Sequence, residues 1–562
     1  MLHKLVRLLH TLKYLQIKQF VFYVVRRCLK PASAIHNGKV ELLPGFELDQ
    51  PLPVTGVWQS GHQFNFLNIS KTQLLQEFEW CPEDVSRLWR YNLHYFDYLR
   101  EPSRSDDEKI QLLESWIASN PQGSQPGWEP FTASLRIVNW VFFLSHCPRA
   151  NTPETVRSLY IQTLWLEKND ERHILANHYF ENIKAWLFAG MFFLGHDAER
   201  WLSNGQRLLV EQLSVQFLDD GGHYERSPHY HGLMLENLLD LLNLSLSNSG
   251  ILSAKTEADL RDTAIRGLAF LYRITMPDGS IPLLNDSAHG TAPSVDELYT
   301  YAERLFDIQR PNNSFITELI DEPASGIYGY RNNQDMLVID CGDIGPDYQP
   351  GHTHCDFLSF ELMLDEKLLF VDSGLYEYQA GEMREYVRST AAHNTISVDG
   401  QEQSEIWGEF RVARRAKKIQ AEIAFTADDF IEFSGSYTGF PRVAGGIIHQ
   451  RKIGCDLRGD AAKYVIQDLV QGQGVHRVDS YLHFHPDIGL EDVGDGRWRL
   501  CREQYTVGYI VVEGVDEGRV TTRLERGWYC PEFGLKYKNS VLVMTIEEAL
   551  PVELSYQIER GI

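Results

Sequence analysis

The feature that most constrains this chain is a change of hydrophobic rhythm near its middle. From about residue 75 to 310 the apolar residues recur at helical spacing. Leu164, Trp165, Ile183, Trp186, Leu187 and Phe188 lie in long periodic runs, and Gly232–Leu246 has apolar residues at helical spacing with Glu236, Asn237 and Asp240 interrupting it. Ala258–Ile274 reads the same way, and short Gly/Pro/Asn punctuation divides the runs into stacked helical hairpins. After about 325 the apolar stretches become short and β-branched: Met336–Ile339, Leu368–Val371, Tyr464–Ile466, Tyr509–Val512 and Val541–Met544. Asp-Gly, Asn-Asn and Gly-Asp turns between many of them predict an antiparallel sandwich or barrel. Helices followed by strands predict an α+β chain of several domains. The expected division is a lead-in over 1–75, a helical unit over 76–312 and a β unit over 325–562, with the join between Pro311 and Gly326.

Composition narrows the function classes. Apolar residues make up 43% of the 562 positions and aromatics 12%, enough for large cores. No stretch of about 18 apolar residues occurs, so no transmembrane helix is predicted. The net charge of −24 argues against general nucleic-acid binding, which needs a broad basic surface. The charge is uneven, however. Residues 1–30 hold seven Lys/Arg and no acid, which concentrates −31 on the rest. This segment reads as an uncleaved basic amphipathic helix, either packed on the body or lying on an anionic membrane surface. The eight cysteines are scattered without a CxxC pair, so neither a disulfide framework nor a cysteine-rich zinc module is indicated.

Four segments concentrate chemistry. Asn177-His178-Tyr179-Phe180-Glu181-Asn182 precedes an apolar helix and could aim an amide at a ligand, or simply cap the helix. Asp219–His231 packs three His, two Tyr and four charges into thirteen residues, a pattern of functional loops or of a hydrogen-bonded interhelical loop. In Gly351-His352-Thr353-His354-Cys355-Asp356, an extended backbone would project His352 and His354 from one face. With Asp372 and His393 they make a set that Zn²⁺ accepts, although the spacing is too loose to be a motif. Tyr376–Arg388 and Trp407–Arg415 carry three Tyr and a cluster of Arg, which could grip carboxylates or balance local acids. His483 and His485 alternate along one stretch, as a ligand pair or as imidazoles at the edge of the core.

In this order, the segments NHYFENIKAWLFAG, DGGHYERSPHYH, MPDGSIPLLND, GHTHCDFLSFEL, FVDSG and YVRSTAAHNTISVDG resemble the heparinase II/III-like superfamily of polysaccharide lyases over roughly residues 80–490. The resemblance implies an incomplete (α/α) toroid followed by an antiparallel β-sandwich. It implies a catalytic set of Asn177, His178, Tyr230 and His352, and a structural Zn²⁺ on His354, Asp372 and His393. A further active-site tyrosine lies among Tyr376, Tyr378 and Tyr386, with Arg388 beside them. Arg226, His231 and Arg411 are the expected substrate contacts. The implied reaction is β-elimination on an anionic uronate polysaccharide or oligosaccharide, linked to exopolysaccharide or capsule metabolism. A uronosyl C5-epimerase, an inactive glycan-binding component and a zinc hydrolase are the competing readings. The expected location is the cytoplasm or the inner face of the membrane, with the periplasm as the alternative.

Overall fold

Two helices open the chain, α1 (Leu2–Leu12) and α2 (Ile17–Cys28), followed by a small sheet of Trp58–Gln59, Gln63–Phe66 and Ile69–Thr72. Strands of two to four residues are too short to leave a periodic signal, and the sequence reading did not anticipate them. The structure, a computed structural model, describes residues 2–28, 32–59, 62–73, 78–248, 250–312, 316–427, 429–458 and 462–561. The expected boundary at residue 75, and Asn313 within the expected join, lie outside these.

The helical half comprises α3 (Arg87–Tyr95), α4 (Asp106–Ser119), α5 (Pro130–His146), α6 (Pro153–Lys168), α7 (Ala176–Phe192), α8 (His196–Gln216), α9 (Pro228–Ser247), α10 (Ala254–Ile274) and α11 (Val295–Phe306). Local chemistry sets several of the starts. Pro opens α5, α6 and α9, where the missing N–H has no helical partner to lose. Ser105 and Ser294 form capping boxes with Glu108 and Glu297. Alternate helices α3, α5, α7, α9 and α11 are neighbours, and α4, α6, α8 and α10 lie outside them. Burial follows this order: α5, α7 and α9 are buried almost all round, whereas α8 and α10 bury one face. This is the inner and outer row of an (α/α) toroid.

Beyond it the chain is antiparallel. A five-stranded sheet runs in sequence order through Glu318–Glu322, Ile327–Arg331, Met336–Asp340, Phe360–Leu364 and Lys367–Phe370. Its first strand lies ahead of the start expected at 325. An eight-stranded sheet and a four-stranded sheet complete the sandwich. The five-stranded sheet is buried on both faces. Met336, Val338 and Met363 join the core of the helical half, while Leu337, Ile339, Phe360 and Leu362 join the sandwich core. The stretch 341–359 between its third and fourth strands therefore emerges at the seam of the two halves. His352 and His354 lie in this loop rather than on the strand face first inferred. A short helix, α12 (Glu382–Arg388), follows the sheet. No helix among the described residues is long and apolar enough to cross a membrane.

Candidate active site

The site is assembled across the seam by backbone stitching. Asn285 and Asp286, from the segment after α10, meet the loop carrying His352. Asp286 N donates to His352 O at 3.0 Å, and His354 N donates to Asn285 Oδ1 at 3.0 Å. The fully buried Asp286 carboxylate then gathers three side chains. His352 Nδ1 lies 2.9 Å from one oxygen and His354 Nε2 lies 2.9 Å from the other. Arg384 of α12 grips both oxygens, at 2.9 Å through its second nitrogen. Burial opposes charge on Asp286. The Arg384 guanidinium and the two imidazoles outweigh it and hold the carboxyl well below its ordinary range.

His352 is thereby fixed against Tyr230. Their rings lie against one another, centroids 3.9 Å apart and planes tilted by 31°. Tyr230 sits in the first turn of α9, where the Ser227 side chain caps its backbone N–H. Its hydroxyl is 2.7 Å from that of Tyr378, which comes from the sheet half. Burial raises the pKa of both phenols, while Arg384, 5.2 Å from the Tyr378 ring, acts in the opposite direction. Phe410 closes the far side, 5.5 Å from Tyr378 and 6.5 Å from His352.

Asn177 and His178 lie within the first turn of α7, not ahead of the helix. Leu175 and Ala176 both adopt positive φ (68° and 54°), a conformation unfavourable for side-chain-bearing residues. It delivers the Asn177 backbone N–H and amide to Glu225 Oε1 at 3.1 and 3.0 Å. The other Glu225 oxygen is 3.3 Å from His352 Nε2, so this carboxylate links Asn177 to His352. His178 packs on Phe131 (4.3 Å) and places Nδ1 3.0 Å from Glu171. Burial disfavours its cation, but the carboxylates of Glu171, Glu225 and Glu181, with Glu171 foremost, together outweigh it and raise its pKa.

His354, Asp372 and His393 are buried, and one ligand atom from each lies within 4.8 Å of the others. His393 Nδ1 is 2.7 Å from Asp372. His354 Nδ1 and His393 Nε2 are buried without a hydrogen-bond partner. Two unpartnered imidazole nitrogens beside a carboxylate fit a metal ion.

Other expected residues are placed differently. Tyr386 accepts a hydrogen bond from Trp528 N at 3.0 Å, so of the competing tyrosines it is Tyr378 that meets Tyr230. Arg388 is buried and donates to Thr353 O, Gly408 O and Glu409 O, which makes it a brace for the His352 loop. His231 is buried, with Nε2 2.9 Å from Gly267 O and Nδ1 accepting from His223 N, so it braces a loop and does not face a ligand. Arg226 turns to Ser325 O across the seam. Arg411 is exposed but lies over Trp407 at 4.7 Å. His483 and His485 diverge, the first to Ala391 O and the second to Asp487. Sequence reasoning missed Asp286, Glu225, Arg384 and Glu171. Three of these sat inside segments already singled out: Asp286 in MPDGSIPLLND, Glu225 in DGGHYERSPHYH and Arg384 in Tyr376–Arg388.

Comparison with known proteins agrees with this architecture. The heparinase II/III N-terminus family matches residues 73–312, and the heparinase II/III-like C-terminal family matches residues 317–557. The chain belongs to the heparinase II/III-like family. It is 24% identical over 388 residues to a heparin-sulfate lyase of Bacteroides thetaiotaomicron, covering 58% of this chain and 53% of that protein. It is 25% identical over 343 residues to one of Bacteroides stercoris, covering 54% and 49%. The chain thus spans about half the length of the curated relatives it matches. Among solved structures, a heparinase III superposes with a TM-score of 0.66 at 18% identity, covering 86% of this chain and 79% of that one. A heparan sulfate lyase of Pedobacter heparinus gives 0.59 at 18%, covering 89% and 82%.

Proposed function

We propose that the protein is a polysaccharide lyase that cleaves a uronic-acid-containing glycan by β-elimination. The observation that carries this reading is the Tyr378–Tyr230–His352 array, with hydroxyls 2.7 Å apart and an imidazole packed against the central ring at 3.9 Å. Loss of the C5 proton puts negative charge beside an existing carboxylate, so the reaction needs that carboxylate neutralised, a base at C5 and an acid at O4. His178, which Glu171 favours as its cation, supports the first role together with the amide of Asn177. Tyr230 and His352 are the proton-transfer pair. Asp286 fixes the ring of His352 through Nδ1 at 2.9 Å, and Nε2, which faces Glu225 at the longer distance of 3.3 Å, is the atom assigned to take or give the proton. Tyr378 shares the proton of Tyr230.

His354, Asp372 and His393 would hold Zn²⁺, which there would tie together the segments that present His352 and would not act as a Lewis acid. The same reading divides the chain into a lead-in, a helical catalytic unit ending near 312 and a sandwich unit beginning with the strand at Glu318. The substrate is an acidic polysaccharide, in line with the names of the relatives. We place the reaction in bacterial exopolysaccharide or capsule metabolism, at the inner face of the membrane.

The test is product formation on a panel of uronate glycans, with Tyr230→Phe as the control. The wild type is expected to release chains ending in an unsaturated uronate. Tyr230→Phe is expected to lose about 10²–10⁴-fold of turnover, the usual worth of a general acid–base group, with an unchanged melting curve. A folded Tyr230→Phe enzyme of full activity would remove the role given to Tyr230. New reducing ends without unsaturation would mean hydrolysis instead.

A further inference from the structure

We infer that α1 and α2 form a docking surface for an anionic lipid bilayer. Their amphipathicity is inverted relative to helices packed on a water-soluble body. The polar side faces the protein. Arg7 Nε donates to Glu405 at 3.0 Å, Thr11 Oγ1 accepts from Trp407 Nε1 at 3.1 Å, and Arg415 lies 3.8 Å over the Tyr14 ring. Gln19 is 3% exposed and donates to Tyr348 O at 3.2 Å. The apolar side faces outward: Leu5, Leu9 and Leu12 on α1, and Ile17, Phe20 and Val24 on α2, are between 39% and 84% exposed. Large exposed apolar side chains elsewhere among the described residues are dispersed along the chain. A contiguous apolar face in water is costly and marks a surface that something covers.

Charge identifies what covers it. Lys4 and Lys13 are exposed in and just after α1, and residues 1–30 contain no acid, while the remainder carries −31. An anionic bilayer is therefore repelled by the rest of the molecule and attracted here. A second copy of this face would bring like charges together. Helices of 11 and 12 residues are each about 17–18 Å long, too short to cross the hydrocarbon, so they lie in the plane of the interface. The second helix also rests on both halves. Gln19 Nε2 reaches Ile174 O, close before Asn177, and Tyr348 O, close before His352. Docking through the outer face would hold this part of the seam about one helix diameter, 10–12 Å, from the lipid.

The experiment is sedimentation of the full chain with vesicles of phosphatidylcholine alone or mixed with phosphatidylserine. It needs no glycan and so stands apart from the proposed reaction. Binding to the mixed vesicles is expected to exceed binding to the neutral ones by at least about tenfold and to weaken with salt. Leu9→Glu with Phe20→Glu is expected to abolish it with an unchanged melting curve, because both side chains point into water. Lys4→Glu with Lys13→Glu, which keeps the apolar face, is expected to erase the preference for phosphatidylserine. A wild type that stays in the supernatant with both vesicles would overturn the inference. So would a wild-type dimer that the Leu9/Phe20 variant dissociates, since the face would then be self-covering.

Discussion

Asp286 joins the imidazole proposed for proton transfer, an imidazole of the proposed metal site and a buried guanidinium through two oxygens. Removing it in Asp286→Ala would leave Arg384, 1% exposed, as an uncompensated buried charge. A broken buried pair of this kind costs about 3–5 kcal/mol, so denaturant unfolding is expected to move by that amount while turnover falls. His178 gives a second test at this scale. Its folded pKa is raised by Glu171, so the pair stabilises the fold fully below the unfolded value near 6.5 and loses that contribution as pH rises through the folded value. Stability of the wild type is expected to fall over that window relative to Glu171→Gln, in which the fall is reduced; parallel profiles would contradict the assignment. Tyr230 and His352 were legible because His and Tyr crowd their segments. Asp286 was not, because its partners lie 66, 68 and 98 residues away, and an isolated aspartate carries no sign of what it will meet.

At the scale of elements, the five-stranded sheet shows why the strands after 325 read as apolar runs without clean alternation. Both faces are buried, with Met336 and Val338 on the helical core and Leu337 and Ile339 on the sandwich core. The inward row of helices shows the same masking, since α7 buries polar Asn177, Glu181 and Asn182 among its apolar residues. That is why the start of α7 was placed too late. The His352-Thr353-His354 stretch suggested one shared face because its two imidazoles alternate. Its two imidazoles converge on one carboxylate instead, which no local pattern reveals. The proposed metal site belongs to this scale because an ion held there would tie the His352 loop to the segments of Asp372 and His393. Elemental analysis is expected to find about one zinc per chain, the count one such site allows. Chelation is expected to lower the melting temperature, and His393→Ala is expected to bind none and to gain nothing from added zinc. A metal-free protein with an unchanged melting curve would remove the metal from the account.

At the scale of the molecule, the division into helices and then strands was legible from rhythm alone, because burial on one stripe or one face repeats over hundreds of residues. The closing of the halves against one another was not. It depends on pairs such as Asp220 with Ser325 and Arg331 with Tyr272, which no periodicity records. The candidate site exists only in that closed arrangement, with Tyr230, Asn177 and Glu225 from one half and His352, Tyr378 and Arg384 from the other. The central claim is that this seam removes a C5 proton and expels the O4 substituent. The most direct measurement is proton NMR of uronate polysaccharides incubated with the protein in D₂O. New vinylic H4 signals from a 4,5-unsaturated uronate are the expected result. Deuterium entering C5 with the chain uncut would contradict it and make the protein an epimerase.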